Sequence, residues 1–496
     1  MKRILLIISL FIFFLAGAQN KKVMTLQDVI ALAKIQSPSA ILAKTKFNNN
    51  YWQYRIFKTS TLPTLSLEGS LPNYSQSIRK ITFFDGSDFF IKSRYANYDA
   101  TLSIRKKIGL TGGNIFVSSG LQQLVFYEPG KYTTLLSTPV NVGFQQPLFA
   151  YNDYHWQNKI EPLKYKEAKQ QYLEDMEDIS EKASNIFFDL LLAQANFKLD
   201  EINRQLYDSL YRISKGRYEI GKIAENDLLQ MELNKLNAEV QASQSQIDLQ
   251  AKGFMMKSFL GIKDGSEIEL VSDLSTIIFF KVDLEKAKSA AIQNRPSLID
   301  RQVQLLQAQS EVIRAKRENR FAVNLFGSYG LTQSAGSYLG SGTINDVYKD
   351  PLPQQQVLVG IQIPIIDWGK ARAQIKMAMS NQELVQTTVE QNEVDFEQEI
   401  FLKVMQFNMQ KQQLTIAAKS DTIAQKSFEI AKYRFLTGKI DIESLTLTQR
   451  AKETAHNAFY SALKNYWAGY FEIRKITLYD FEKDHPLEVD FNSLIK

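Results

Sequence analysis

The sequence has 496 residues, of which 44% are hydrophobic and 23% charged, so the chain can bury a large core and lacks the composition of a disordered protein. Its 59 basic and 53 acidic residues are mixed along the chain, and a net charge of +6 is too small to indicate nucleic-acid binding. The absence of cysteine excludes disulfides, thiolate zinc sites and an acylated lipoprotein cysteine.

The amino terminus has the pattern of a secretory signal. Basic residues Lys2 and Arg3 precede an apolar run from Ile4 to Leu15, and the small residues 16–18 follow. This pattern predicts a signal peptide over residues 1–18 that is removed on export. The alternative, a helical membrane anchor, needs ~20 apolar residues. No later apolar run reaches that length, so any membrane crossing would have to use strands.

The first half of the chain alternates between helical and strand patterns. Residues 25–58 predict a helix in two pieces, broken at Ser37-Pro38, and residues 62–70 change to the period of a strand. Residues 71–146 predict β-structure with long loops, and a strand ends at Pro147. A long helical pattern then runs to Gly221, and a return helix ends near Gly261.

The second half repeats this order. Residues 284–320 predict a helix broken at Pro296, residues 321–329 a strand, and residues 357–363 a second strand that ends at Pro364. A long helix runs to Gly438, and a return helix ends near Leu478. Each of the two glycines stands where the chain reverses between helices, a position that favours a residue tolerant of positive φ.

Fixed offsets support an internal duplication. Equivalent positions up to and including the first strand of each repeat differ by 258, as in Gly69 and Gly327, and those from the end of the last strand onward differ by 217, as in Pro147 and Pro364. We therefore predict a first repeat over 19–280, a second over 281–480 and a carboxy-terminal tail over 481–496. Because the two offsets differ, the register breaks once, between the two strands of the first hairpin. Either a longer loop or an extra strand pair would account for it.

Helix lengths indicate an elongated architecture. Pro147 and Gly221 are 74 residues apart, as are Pro364 and Gly438, and a helix of that length is about 110 Å long. The shorter helices have a similar combined length, which predicts long hairpins packed as an elongated bundle. With four strands per chain the sheet cannot close, so a membrane β-barrel must be completed by other copies of the chain. The alternative is a soluble sandwich capping a coiled-coil rod.

Residues 146–149 and 363–370 form the two strand-to-helix junctions, and Gly221 and Gly438 mark the two hairpin tips. In these segments the sequence resembles the TolC-type outer-membrane efflux channel family. The resemblance implies a homotrimer in the outer membrane of a Gram-negative bacterium, with a twelve-stranded β-barrel in lipid and an α-helical barrel in the periplasm. It also implies a periplasmic adaptor and an inner-membrane pump or ABC transporter as partners.

The resemblance also assigns site residues. It places adaptor docking and gating at the two tips, and the strand-to-helix junction at Pro147, Pro364 and Gly369. The tip residues are Arg217, Tyr218, Gly221, Asp227 and Leu228 in the first repeat and Arg434, Phe435, Gly438, Glu443 and Leu445 in the second. We hypothesise that Arg217 and Arg434 hold the tip closed by bonds to neighbouring acids or carbonyls. Residues 407–413 contain no acid, so the acidic ring of some family members is not expected here.

No pattern in the chain indicates catalysis or a cofactor. His155, His456 and His485 have no metal-ligand spacing, and there is no nucleophile elbow, P-loop or dinucleotide-binding glycine pattern. The basic residues between Arg314 and Arg320 lie where helix meets strand, which favours a membrane boundary or the conduit wall over nucleic acid. We therefore predict no cofactor or metal, and the resemblance implies a passive exit duct. The alternative is a periplasmic or surface scaffold that transports nothing.

Overall fold

The fold is given by a computed structural model, which describes residues 22–128, 130–263, 266–271, 279–337 and 339–495. The predicted signal peptide lies outside the described residues. The chain divides into two compact units. The helical unit comprises Met1–Asn49, Lys166–Leu298 and Gln391–Lys496, and the sheet unit comprises Asn50–Tyr165 and Ile299–Glu390. Each unit contains segments of both predicted repeats, so neither unit corresponds to one repeat.

Two pairs of short helices begin the two halves of the chain. They are α1 (Leu26–Gln36) and α2 (Pro38–Thr59) in the first half, and α5 (Leu284–Asn294) and α6 (Pro296–Glu318) in the second. The predicted breaks are confirmed: Ser37 and Arg295 are extended residues that close the first helix of each pair. Both precede a proline, which disfavours the helical conformation in the residue before it.

Each half also contains a long helix and a return helix. The long helices are α3 (Asp153–Glu219) and α7 (Lys370–Leu436), both 67 residues, and the return helices are α4 (Glu225–Leu260) and α8 (Ile442–Thr477), both 36 residues. The predicted equality of the long helices is confirmed, although each is shorter than the predicted span because the strand-to-helix junctions are not helical. Among the described residues, no helix is both long and apolar enough to cross a membrane.

The main sheet belongs to the sheet unit and has six antiparallel strands. Their order is β2-β3-β4-β5-β7-β8, with bounds Thr64–Thr82, Asp88–Lys107, Asn114–Glu128, Tyr132–Leu148, Ala322–Ala335 and Leu352–Gln362. The expected four strands per chain is therefore wrong, because the first repeat contributes four strands and the second two. Two small sheets lie in the helical unit, pairing β1 (Lys22–Met24) with β6 (Ile268–Leu270) and β9 (Tyr479–Asp480) with β10 (His485–Pro486).

The extra strands account for the break in repeat register. Strand β3, its turn and β4 together occupy Asp88–Glu128, and the length of this segment equals the difference between the two repeat offsets. Of the two explanations left open by the sequence, the structure selects the extra strand pair. This hairpin is inserted between β2 and β5, whereas their equivalents β7 and β8 are directly hydrogen-bonded to each other.

The core of the helical unit follows the apolar stripe of α3. Tyr172, Met176, Ile179, Ala183 and Leu190 are buried, as their spacing of three and four residues predicts. Several other positions assigned to apolar helix stripes are exposed in the single chain. They are Ile202 and Ile213 on α3, and Leu229, Leu233, Leu236, Val240 and Ile247 on α4. Within the described residues, these apolar side chains are left more than a third exposed.

A charged cluster anchors the segment after α8 within the helical unit. The Arg474 guanidinium donates to Glu177 at 2.8 Å and also to Asp480, while Lys34 donates to the other oxygen of Glu177 at 2.9 Å. Glu177 and Asp480 are almost fully buried. A buried carboxylate is tolerated only when it is paired, so this cluster fixes three separate chain segments to one another.

Candidate functional site

The two helical hairpin tips have the same backbone geometry. Gly221 and Gly438 have φ of 68° and 74°, the left-handed conformation predicted for them. In the first tip the N–H groups of Gly221 and Lys222 donate to the carbonyls of Tyr218 and Arg217, each at 2.8 Å. The second tip repeats both bonds at the equivalent positions. This paired arrangement is a Schellman motif, which satisfies two carbonyls that the helix end leaves open.

The hairpins that carry the tips share one apolar cluster. Phe435 and Leu445 are 5% and 1% exposed, so these two residues of the expected docking set support the tip from inside. A partner could reach them only if the cluster opened. The buried members come from all four long and return helices, and are Tyr207, Leu210, Met231, Ala238, Phe428, Ala431, Phe435, Ile442 and Leu445.

Arg217 connects the first tip to the second. Its guanidinium donates to the backbone carbonyl of Leu436 at 2.7 Å and that of Phe435 at 3.5 Å, and stacks over the Phe435 ring at 5.8 Å. These carbonyls end α7, where unpaired C=O groups and the helix dipole attract a cation. The Arg434 side chain is exposed and, within the described chain, makes no hydrogen bond or ion pair. Of the two expected arginine contacts, the single chain forms only the one from Arg217.

The remaining tip residues form the accessible surface. Tyr218 and Glu443 are exposed, and Asp227 and Leu228 are half-buried. The tips also differ in a feature that the sequence interpretation missed. Asp441 caps α8 by accepting from the Ser444 N–H at 2.8 Å, and the hydroxyl and N–H of Ser444 hold the pKa of Asp441 below its usual value. Ala224, the residue equivalent to Asp441, gives α4 no side-chain cap. An Asp directly before a helical pattern, such as Asp441, is a capping signal that can be recognised from sequence.

The two strand-to-helix junctions use different residues at equivalent positions. Pro147 is the penultimate residue of β5, while Pro364 follows the end of β8. Before α7 the chain reverses through Gly369, which has a φ of 87°. Asp367 accepts from the N–H groups of Gly369 and Ala371, each at 2.9 Å, and these bonds hold the pKa of Asp367 below its usual value. Asp367 therefore caps the start of α7.

The first junction instead uses Asn152, the position equivalent to Gly369. Its side-chain oxygen accepts from the His155 N–H at 3.2 Å, and its side-chain nitrogen donates to the Gly109 carbonyl at 2.9 Å. Asn152 thus caps α3 and ties the β3–β4 turn to the helix start. The sequence interpretation missed this residue because its second partner lies on the inserted hairpin.

One face of the six-stranded sheet is apolar and exposed. A row across the sheet pairs Leu65 with Ile104, Ile104 with Val117, Val117 with Val142, and Val142 with Tyr329. All five side chains are more than 36% exposed. Alternate residues of each strand point to the same face, so the row extends to further exposed apolar side chains: Leu67, Leu102, Ile115, Phe144, Val357, Val359 and Ile361.

The opposite face is mainly polar. It carries Ser66, Ser103, Ser118, Asn141, Ser328, Gln354, Gln356 and Gln362, which alternate with the apolar residues along the strands. Its apolar exceptions include Phe116 and Phe326, whose rings stack on each other at 6.0 Å, and Leu358. A sheet with one exposed apolar face and one polar face fits a lipid-facing wall around an aqueous interior.

The sequence of the second half matches a known family. Residues 287–476 match the family model described as outer membrane efflux protein, and this range includes α7, all of α8 except its last residue, and both strands of the second repeat. No curated protein matches the sequence. The family match of this segment agrees with the resemblance inferred from the junction and tip residues.

Solved structures of outer membrane proteins share the fold of this chain. The Campylobacter jejuni CmeC outer membrane channel is 16% identical, with a TM-score of 0.66 over 94% of this chain and 87% of that one. The Vibrio cholerae outer membrane protein VceC is 12% identical, with a TM-score of 0.62 over 91% and 95% of the two chains. The open state of the Neisseria gonorrhoeae MtrE channel is 14% identical, with a TM-score of 0.61 over 91% and 88%.

No metal centre is evident in the part of the chain that the structure describes. No group of three or more histidine, aspartate and glutamate residues there is arranged to hold a metal ion. His456 lies 3.5 Å from Asp421, but this is a single pair on two helices. The chemistry that the described residues do present is the two-faced sheet and the paired tips.

Proposed function

We propose that the chain is the subunit of an outer-membrane exit duct, with the sheet in lipid and the hairpin tips in the periplasm. The observation that carries this proposal is the exposed apolar face of the six-stranded sheet, opposite a mainly polar face. A soluble protein rarely exposes so large an apolar surface. The match of residues 287–476 to the outer membrane efflux protein model supports the same conclusion.

The duct forms by self-association, as a homotrimer in keeping with the family resemblance. Exposed apolar residues support this step because they follow a spacing of three, four and seven along α7: Leu402, Met405, Met409, Ile416, Ile423 and Ile430. The exposed stripe of α4 has similar spacing. Stripes of this kind pack side by side in helical bundles, and a second copy of the chain supplies the matching surface.

The tips close the duct at its periplasmic end. Within one chain Arg217 binds the carbonyls that end α7. In a ring of copies the repeat symmetry brings Arg434 to the equivalent carbonyls of Tyr218 and Glu219 of the neighbouring subunit. Each copy would then contribute one contact within the chain and one contact between chains. Opening requires that these bonds break, and a periplasmic adaptor with an inner-membrane pump or ABC transporter supplies the energy.

Membrane insertion and conductance test the duct directly. The full-length chain, which includes the predicted signal peptide, should fractionate with the outer membrane, require detergent for solubility, and form ion-conducting channels in planar bilayers. The scaffold alternative predicts a chain that stays soluble without detergent and conducts nothing. Recovery of a detergent-independent, non-conducting protein would overturn the duct.

Site-specific photo-crosslinking tests the docking surface at the tip. A photoreactive residue in place of exposed Glu443 should crosslink to a periplasmic adaptor in cells. The same substitution at exposed Leu339, in the loop between β7 and β8, is the matched control and should give no such product. Equal yields of adaptor from both positions would contradict docking at the tip.

A further inference from the structure

The inserted β3–β4 hairpin increases the number of strands that each chain contributes to the sheet. In the second repeat β7 pairs directly with β8, and Leu325 lies opposite Val359. The equivalent residues of the first repeat, Leu67 and Val142, are separated by two further strands. The insertion therefore widens the sheet in one repeat and leaves the other unchanged.

The inserted strands continue the apolar face of the sheet between β2 and β5. Ile104 of β3 and Val117 of β4 lie between Leu65 and Val142 in the same apolar row, so the insert alternates in phase with its neighbours. The two strands are 20 and 15 residues long, whereas a tilted membrane strand needs ~9 to 11. A soluble flap would have no reason to continue the apolar face. The hairpin is thus built as part of the membrane-spanning sheet.

The sheet ends in two open edges, β2 and β8. They are the first and sixth strands of an antiparallel sheet, so they run in opposite directions. An open edge is not viable in lipid, because its backbone N–H and C=O groups would stay unpaired. Edge β8 of one copy can pair antiparallel with edge β2 of the next. Repetition of this contact closes a ring whose strand number is a multiple of six.

We propose that three copies close an eighteen-stranded barrel, rather than the twelve-stranded barrel expected from the family resemblance. This inference rests on the proposed function, because it takes the trimer and the membrane location from it. With a strand spacing of ~4.8 Å and a tilt of ~40°, eighteen strands give a backbone diameter of about 36 Å, against about 24 Å for twelve. The membrane section of this duct would therefore be about one and a half times wider.

The repeat symmetry also predicts the register between copies. Within one chain β5 joins the first repeat to the second through β7, and Gln145 lies opposite Phe326. Applying the repeat offsets to this pair places Gln362 opposite Glu68 of the partner subunit. Both residues belong to the polar face, and directly opposite residues have their Cβ atoms about 5 Å apart.

Cysteine crosslinking tests the contact between edges. The chain contains no cysteine, so the double variant Glu68→Cys with Gln362→Cys has only the intended thiols. Oxidation in isolated outer membranes should give covalent species of two and three chains. The control pairs Glu68→Cys with Gln354→Cys, which lies on the same strand and face but about 27 Å from the predicted partner position. Equal crosslinking of both pairs, or none in either, would overturn the predicted edge pairing.

Strand number is counted on the unmodified protein by electron cryo-microscopy in lipid nanodiscs. Eighteen strands in a three-copy ring support the proposal. Twelve strands, either in a dimer or with β3 and β4 outside the wall, would overturn the proposal while the duct function stands. A protein that neither inserts nor conducts would instead refute the function.

A deletion of residues 88–128 gives an independent measure of width. The shortened chain lets Leu67 pair with Val142, as Leu325 pairs with Val359 in the second repeat. Both edges remain, so the Glu68–Gln362 crosslink should persist in this background and report that the variant assembles. Polymer exclusion from a tip-opened channel should then shift to smaller polymers. An assembled deletion variant with an unchanged exclusion limit would contradict the wider barrel.

Discussion

Removal of the Arg217 side chain should shift the tip toward its open state. The guanidinium makes one short bond to the Leu436 carbonyl at 2.7 Å, a second at the distance limit of 3.5 Å, and a ring contact with Phe435 at 5.8 Å. One charge-assisted bond contributes about 1.5 kcal/mol, and a half-exposed cation–π contact at this distance adds a few tenths. Three copies together would lose about 5 kcal/mol.

A change of this size is large for a two-state equilibrium. About 5 kcal/mol corresponds to a change of roughly a thousandfold or more in the ratio of open to closed tips. Arg217→Ala should therefore raise the open probability and conductance of single channels in planar bilayers. Arg217→Lys keeps the charge but loses the planar fork, so its conductance should fall between that of Arg217→Ala and that of the original protein.

The matched control is Lys215→Ala, because Lys215 is an exposed cation two residues away that the described contacts leave unpaired. It should conduct like the original protein. The reasoning would be refuted if Arg217→Ala assembled normally and its open probability matched that of Lys215→Ala. In that case the observed contact would be incidental to closure.

Three further predictions concern stability in detergent. Glu177→Gln should lower the free energy of unfolding by about 3 kcal/mol in chemical denaturation, because it removes the carboxylate charge that pairs with Lys34 and with the largely buried Arg474, which keeps Asp480; an unchanged midpoint would contradict the cluster. Burial raises the pKa of Glu174 despite the attraction of Arg295. Ionisation of Glu174 therefore lowers the free energy of unfolding as pH rises above the ordinary carboxyl pKa. Glu174→Gln should therefore raise the melting temperature near pH 7.5, with the gain lost near pH 4; a gain independent of pH would refute this cause. Gly438→Ala should lower the local free energy of opening at the tip by about 1 kcal/mol, because a φ of 74° strains alanine. Gly216→Ala within α3 should instead raise the local free energy of opening, because alanine favours the helix and meets no neighbouring atom there. Hydrogen exchange measures both free energies, and changes of the same sign would contradict the argument.

The sequence alone determined the features that depend on local chemistry and on repetition. Glycine at 221 and 438 marks left-handed positions that end a helix, because glycine adopts positive φ at little cost. Prolines 38 and 296 break the short helices, because proline disfavours the helical conformation in the residue before it. Equal spacing between Pro147 and Gly221, and between their equivalents, fixed two long helices of equal length. The duplicated order then supported the family resemblance.

Tertiary structure decided what depends on partners distant in the chain. A longer loop and an inserted hairpin would produce the same difference between the two repeat offsets. The pairing of β3 with β2 and of β4 with β5 shows that the insertion is a hairpin. Likewise, the sequence predicts the same tip contact for Arg217 and Arg434. In the described part of the chain, Arg217 donates to backbone carbonyls and Arg434 does not. Helical periodicity predicts an apolar stripe without saying what covers it, so the exposed stripe of α4 became evident only from the packing.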